Sequence, residues 1–542
     1  MNLRATSMAT SATIAAAYLA GGCTGGDPEE RELLDARSYY VEYEEGQGDG
    51  VGGRATTHGT TSAVREAAPD RTSAAMPPAR DWPPGVLQDN TFVDAGDSEF
   101  IGAADDPTST FGLDVDTGSY SVARELVEQG HPPPPASIRV EEWVNAFDYG
   151  YAPPDEGDFT VDVETAPAPY AEDGTRLVRL GIQAREIPDD KRPPAAITFV
   201  VDTSGSMDIR ERLGLVKSSL ALLTNTLRDD DTIAIVTYGD SSHALLPPTP
   251  VREIGAIEGA ISGLRPGGST NLDSGLRLGY REARAGFRED AVNVVVLASD
   301  GVANVGTTNP DRLAARIRRE GDDGIHLVTV GFGMGNYNDD LMEQLADQGN
   351  GFYSYVDTFK EARRLFVEDL TSTLTVVAGD ARTQVEFDPS VVRDYRLLGY
   401  QNRALADDAF RDDAVDAGEL GAGHTVTALY EVRPSEGAEP VDAQTIGELR
   451  LRWESAASGE VEELVRPIPL SGADAESSNG FRMASTVAST AELLRGDAPV
   501  SARGATLDML AEDASALARA GQPGAAGLAD LIGRIGAAKT PR

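Results

Sequence analysis

Apolar positions change their spacing several times along the chain, and each change predicts a different kind of element. Phe159-Thr-Val-Asp-Val-Glu and Arg176-Leu-Val-Arg-Leu-Gly-Ile-Gln alternate with period two, as half-buried antiparallel strands do. At Ala196-Ile-Thr-Phe-Val-Val the alternation gives way to a continuous apolar run. It is too short for a helix and suits a strand covered on both faces. Ile209, Leu213, Val216, Leu220, Leu223 and Leu227 then recur at steps of four and three, which predicts one helix with a single apolar stripe. Strand and helix continue to alternate, with strands over 232–238, 291–298, 325–332 and 351–356 and helices over 254–264, 272–287, 311–319, 339–346 and 359–376. This rhythm predicts an α/β fold with a doubly wound, mostly parallel sheet.

Period two returns at Thr383-Gln-Val-Glu-Phe, Tyr395-Arg-Leu-Leu-Gly-Tyr, His424-Thr-Val-Thr-Ala-Leu-Tyr-Glu-Val and Glu448-Leu-Arg-Leu-Arg-Trp. Strands on both sides of the α/β unit imply one antiparallel β-sandwich, built from about 158–190 and 382–470, with the α/β unit inserted in it. Helices are expected from Ser121 and over 139–147, on either side of the Pro132–Pro135 spacer, and again in the tail from Phe481. Residues 24–89 are rich in Gly, Glu, Asp, Thr, Ser and Pro with little apolar periodicity, and are expected to be a disordered linker. The chain thus divides into a leader at 1–23, the linker at 24–89, a flanking domain at 90–157, sandwich strands at 158–195, the α/β unit at 196–378, a C-terminal β region at 379–475 and a helical tail at 476–542. No internal repeat is visible.

Composition narrows the function. The chain of 542 residues has room for more than one core. Its net charge of −41 repels phosphate backbones and anionic headgroups, which excludes nucleic-acid binding by charge. Lysine occurs only at Lys191, Lys217, Lys360 and Lys539, so arginine supplies nearly all the cations. One cysteine leaves no internal disulfide, thiolate cluster or CxxC pair. Mean hydropathy is −0.28, and no apolar run reaches 18 residues.

That cysteine ends a segment, Met1 to Cys23, with Arg4 followed by small and apolar residues, which reads as a processed leader. Leu19-Ala-Gly-Gly-Cys23 resembles a bacterial lipobox, with the leucine one position further from the cysteine than usual. The resemblance implies acylation at Cys23, a membrane contact through the lipid anchor alone, and a place in the bacterial cell envelope, at the outer membrane or periplasmic face. An ordinary secretory signal is the alternative.

The first α/β strand ends in Val201-Asp202-Thr203-Ser204-Gly205-Ser206-Met207, immediately before a helix, where ligands of doubly wound sheets bind. Two further edges, Gly267-Gly-Ser-Thr270-Asn and Leu297-Ala-Ser-Asp300-Gly301, bring more oxygen donors. Each residue alone suits a cap or a turn. Asp202, Ser204, Ser206, Thr270 and Asp300 together form an oxygen-only set that suits a hard divalent cation rather than zinc or copper.

At these residues the chain resembles the von Willebrand factor type A domain, whose metal-ion-dependent adhesion site carries Asp-x-Ser-x-Ser with a later Thr and Asp. The resemblance implies Mg²⁺, with Mn²⁺ or Ca²⁺ not distinguished from it. It further implies Ser204, Ser206 and Thr270 as direct ligands, Asp202 and Asp300 completing or orienting the shell, and an open position for the Asp or Glu carboxylate of a protein partner. Ser109-Thr-Phe-Gly-Leu-Asp-Val-Asp-Thr-Gly-Ser-Tyr, Arg139-Val-Glu-Glu-Trp-Val-Asn-Ala-Phe-Asp-Tyr and Gly421-Ala-Gly-His-Thr-Val-Thr-Ala-Leu-Tyr-Glu extend it to bacterial lipoproteins with such a domain, over residues 90–500. The implied role is non-catalytic ligand capture, with loops 301–310 and 333–338 giving specificity. An envelope scaffold working with a partner ATPase is the alternative.

Other chemistries lack residues. His58, His131, His243, His326 and His424 have no HExxH spacing, and no Walker A lysine occurs. Asp116-Thr-Gly and Asp273-Ser-Gly look locally like an aspartic-protease pair, but Asp273 opens an amphipathic helix, and Asp116 is expected to end a strand and cap the helix after it. Gly331-Phe-Gly-Met-Gly-Asn336 reads as a loop of close backbone approach, and His424 as a structural strand residue.

Overall fold

The run Ala195–Asp202 is a strand buried along its whole length, and the α/β unit assembles around it. The computed structural model describes residues 33–45, 96, 98–113, 116–188, 190–300, 310–333, 339–369, 375–412, 418–435, 444–470, 477–496 and 498–539. In chain order these begin with helix α1 (Ala36–Val41), strand β1 (Thr108–Gly112), helices α2 (Gly118–Glu128) and α3 (Val140–Asn145), and strands β2 (Phe159–Pro167) and β3 (Arg176–Ala184). The α/β unit follows as β4 (Ala195–Asp202), α4 (Leu215–Thr226), β5 (Thr232–Tyr238), β6 (Ser242–Pro250), α5 (Ile254–Gly263), α6 (Leu272–Ala285), β7 (Val292–Ser299), α7 (Pro310–Asp322), β8 (Ile325–Phe332), α8 (Asp339–Asp347), β9 (Tyr353–Val356) and α9 (Phe359–Arg363).

Its sheet runs β9-β8-β7-β4-β5-β6 and is parallel except for β6. One apolar core, around Leu213, Leu220 and Ile261, lies on one face, and a second, around Leu276, Ile317 and Leu345, on the other. Register places Asp202 opposite Tyr238 and Val201 opposite Ala298, so the carboxyl ends of β4, β5 and β7 lie side by side. Strand β6 escapes the periodicity because three of its residues are prolines, which an edge strand tolerates. The single helix expected from Ile209 is instead a π-helical turn, Arg210–Gly214, followed by α4. The closing helix expected over 359–376 is cut short: α9 passes into a second π-helical turn, Arg364–Asp369, and an extended strand starts at Val376.

The α/β unit is inserted in an antiparallel β-sandwich, completed by β10 (Val376–Phe387), β11 (Val392–Leu397), β12 (Thr425–Pro434), β13 (Thr445–Ser455) and β14 (Val461–Pro469). One sheet contains β11-β12-β3-β2 and the other β1-β10-β13-β14, and Phe111, Val178, Leu180, Tyr395, Tyr430 and Leu449 fill the space between them. Residues 90–157 therefore do not stand as a separate flanking domain. Strand β1 pairs with β10, while α2 and α3 pack with the tail helices α10 (Asn479–Arg495), α11 (Leu507–Arg519) and α12 (Ala525–Lys539) around Trp143, Val487, Leu510 and Leu528.

The expectation of a disordered linker over 24–89 also needs correction. Residues 34–45 form a strap on the α/β unit, with Leu34 and Ala36 buried. The Asn225 side chain accepts from Leu34 N at 2.8 Å and donates to Leu34 O at 2.9 Å. Tyr43 Oη donates to Asp208 at 3.1 Å, and the Arg210 guanidinium lies 5.0 Å from the Tyr40 ring centre. Leu34 and the tyrosines supply the apolar and aromatic surface that the average composition of this stretch hides. The rest of the linker and Cys23 lie outside the described residues, among which no helix is long and apolar enough to cross a membrane.

Candidate metal centre

Strand β4 delivers Asp202 to the carboxyl edge of the sheet, where the chain turns back on it. Ser204 N donates to Asp202 Oδ1 at 2.8 Å, and a tight 3₁₀ turn over Gly205–Met207 leaves Ser204 Oγ and Ser206 Oγ 3.0 Å apart. The Thr203 hydroxyl donates to the Tyr238 carbonyl at 3.0 Å, which fixes the loop to the end of β5. The Thr270 loop is laced to it by Gly267 N to Thr203 O at 2.6 Å and Gly205 N to Gly268 O at 3.0 Å. Gly268 has φ +87°, and a Cβ there would fall 2.8 Å from Asp240 Oδ2, so the turn needs glycine. Asp240 Oδ1 in turn accepts from Ser269 N and Oγ at 2.7 and 2.6 Å. Asn271 caps α6, accepting from Ser274 N at 3.1 Å, which leaves buried Thr270 at the helix entrance.

Strand β7 supplies Ser299, whose hydroxyl donates to Asp202 Oδ2 at 3.2 Å, and then Asp300, which like Asp202 has no exposed surface. All five residues expected from the sequence therefore lie at one sheet edge, Asp202 at the end of β4 and the others in the turns and loops beside it, four buried and Ser206 half-buried. Burial, with the Asp300 carboxylate next in weight, pushes the Asp202 carboxyl up to about 7, against the hydrogen bonds from Ser204 and Ser299. Asp300 Oδ2 accepts from Arg212 Nη1 at 2.9 Å, and the same nitrogen donates to the Ser206 carbonyl at 2.7 Å. Asp300 Oδ1 is buried and has no hydrogen-bond partner. Sequence reasoning missed Arg212 and Ser299; the only local signal for Ser299 was its place beside Asp300.

The donor chemistry fits a hard divalent cation. Two buried carboxylates lie close enough to disturb one another, one oxygen is unsatisfied, and paired hydroxyls stand alongside. No cluster of three or more His, Cys, Asp or Glu residues suited to a metal occurs among the described residues, and a cation here would draw on the hydroxyls as well as the two carboxylates. The expected specificity loops fall largely on 301–309 and 334–338, outside the described residues.

Asp116 does not cap α2 with its side chain. Its oxygens accept from Tyr353 N at 2.8 Å and from Arg403 Nη2 at 3.0 Å, tying the sandwich side of the molecule to β9. Asp273 bonds Arg277 and Arg316 in the first turn of α6, so each acid of the protease-like pair has its own arginine partners. His424 lines a small pocket with His326, Asn350 and Glu419 where the α/β unit meets the sandwich.

The family model for the von Willebrand factor type A domain matches residues 196–371, and one for von Willebrand factor matches residues 86–179. A model for the C-terminal region of the uncharacterized protein YfbK matches residues 372–526. YfbK of Escherichia coli (strain K12) is 37% identical over 416 residues, covering 72% of each chain. The chain belongs to the YfbK family. The inter-alpha-trypsin inhibitor heavy chain H3 of Pongo abelii is 27% identical over 266 residues, covering 45% of this chain and 29% of its own length. A solved structure, the von Willebrand factor type A protein from Catenulispora acidiphila, is 15% identical, covers 67% of this chain and 87% of its own, and superposes with a TM-score of 0.42. Von Willebrand factor type A domains mediate protein–protein interaction and adhesion, and commonly bind a divalent metal.

Proposed function

We propose that this YfbK-family protein is a non-catalytic, envelope-anchored binding protein that captures a protein partner through a divalent cation at the edge of its α/β sheet. The observation that carries this reading is the pair of buried carboxylates, Asp202 and Asp300, with Asp300 Oδ1 unsatisfied and Asp300 joined through Arg212 to the turn that holds the Ser204–Ser206 hydroxyl pair. Ser204, Ser206 and Thr270 would hold Mg²⁺ through hydroxyl oxygens, and the two aspartates would balance its charge. When bound, the cation supplies the positive centre that an Asp or Glu carboxylate of the partner recognises. Ser299 and the Ser204 amide keep Asp202 oriented, and the laced 203–207 and 267–270 loops keep the hydroxyls in place. The lipobox-like segment supports acylation of Cys23 and attachment to the envelope.

Calorimetric titration of Mg²⁺ into the full chain and its Asp202→Ala variant tests the site. One-site binding is expected in the first and none in the second. Envelope proteins retained by the immobilised chain in Mg²⁺ should be released by EDTA. Retention unchanged by EDTA, or by Asp202→Ala, would show that partners bind elsewhere.

A further inference from the structure

We infer that Arg212 is a built-in determinant of cation choice, acting as a tethered positive charge on the wall of the metal centre and as a clamp on Asp300; this rests on the proposed cation site. The guanidinium bonds Asp300 Oδ2 and the Ser206 carbonyl through one nitrogen, at 2.9 and 2.7 Å. Its side chain is 8% exposed and that of Asp300 is fully buried, so solvent screens the pair weakly.

The local fold is organised to keep it there. The π-helical turn Arg210–Gly214 sets Arg212 at the head of an unbroken buried stretch that runs through Leu213 and Gly214 into α4, whose residues Leu215–Thr224 are all buried. Behind this turn lies the strap, whose Tyr43 ring sits so close that a Cβ on Gly214 would be 3.2 Å from Tyr43 Cγ. Over the guanidinium stem passes Gly333, with φ +73°, where a Cβ would fall 2.4 Å from Arg212 Cγ. The Gly333 backbone thus closes on Arg212 itself, while Tyr43 packs on the turn that carries it.

Two consequences follow for the site. With Oδ2 engaged, Asp300 offers a cation one oxygen, Oδ1, instead of a bidentate pair. Ca²⁺ gains from bidentate carboxylates and high coordination numbers, whereas Mg²⁺ works with single oxygens in a strict octahedron. Arg212 therefore disfavours Ca²⁺. Its charge also cancels one of the two aspartates, so the loaded site keeps a net positive charge for a partner's carboxylate, at the expense of cation affinity.

Titration of Mg²⁺ and Ca²⁺ separately into the full chain, Arg212→Met and Arg212→Lys tests this, with folding checked by circular dichroism. Arg212→Met should bind both ions more tightly and Ca²⁺ the more so, lowering the Mg²⁺/Ca²⁺ affinity ratio about tenfold. Arg212→Lys keeps the charge and should stay near the wild-type ratio. A folded Arg212→Met with the wild-type ratio, or with weaker binding of both ions, would overturn the inference while leaving the cation site standing. No cation binding by the wild-type chain would remove the site itself, and the inference with it.

Discussion

The Asp202 carboxyl is held up to about 7 by burial and by the neighbouring Asp300 carboxylate, so its folded value lies above its unfolded one. The folded chain then binds a proton more tightly than the unfolded chain does. Its contribution without metal is most favourable below the ordinary aspartate range and fades as pH rises to about 7. Cation binding works against that proton. Mg²⁺ affinity is expected to climb from about pH 5 to about pH 7 and to level off above, with proton release detectable by titration in buffers of different ionisation enthalpy. A flat profile would mean that Asp202 is already ionised throughout. The gathering of the five candidate donors at one sheet edge was legible in the sequence because three fall within five residues and the other two sit at strand or helix edges, where the rhythm of the chain changes. Arg212 and Ser299 were not legible, since their partners Asp300 and Asp202 lie 88 and 97 residues away and only the sheet brings them together.

Elements were read well where one periodicity dominated and poorly where two requirements competed. The buried strand β4 and the helix α6, with its apolar stripe, follow the pattern closely. The π-helical turns at 210–214 and 364–369 do not: the step from Leu213 to Val216 is one an α-helix also gives, so spacing does not separate the first turn from the helix that follows it. The strap is a third case. Its hold on the α/β unit is a few side chains on a polar background, and the Asn225 carboxamide, bonded to both the N–H and the C=O of Leu34, mimics a strand partner at one position. Asn225→Ala removes both bonds, each contributing about 1 kcal/mol. Amide protection over 34–43 should fall by about tenfold or more in hydrogen exchange, while the protection of β4 and β7 stays unchanged. If protection in β4 fell equally, the strap and the sheet would open as one unit.

Across the whole molecule, arginine carries the internal cation work that composition alone left unexplained. Arg124 joins Asp357 and Glu361 at 2.6 and 3.0 Å, Arg403 reaches Asp116 and Asp347, and Arg396 bridges Glu431 and Glu492 at 3.0 and 2.7 Å with its own side chain almost fully buried. A planar fork serves two carboxylates at once, which a lysine does less well. The Arg124 pairs and Arg403–Asp347 fasten the inserted α/β unit to the segments around it, and Arg396 ties the sandwich to α10; the period-two strands on either side announced the insertion, but not the fastening, which depends on residues far apart in sequence. Many arginines are thereby spent on internal partners, and the net charge of −41 acts on the surroundings. Such a field draws a divalent cation toward the molecule and repels an acidic partner, so the two steps of the proposed capture should respond to salt with opposite signs. Between about 10 and 150 mM NaCl the screening length falls from roughly 30 to 8 Å. Mg²⁺ binding to the full chain should weaken several-fold over that range, while association of an acidic protein retained in the EDTA-sensitive fraction should speed up. Mg²⁺ affinity independent of salt would mean that Asp202, Asp300 and Arg212 alone set the potential at the site, since charges in direct contact and out of solvent are screened little.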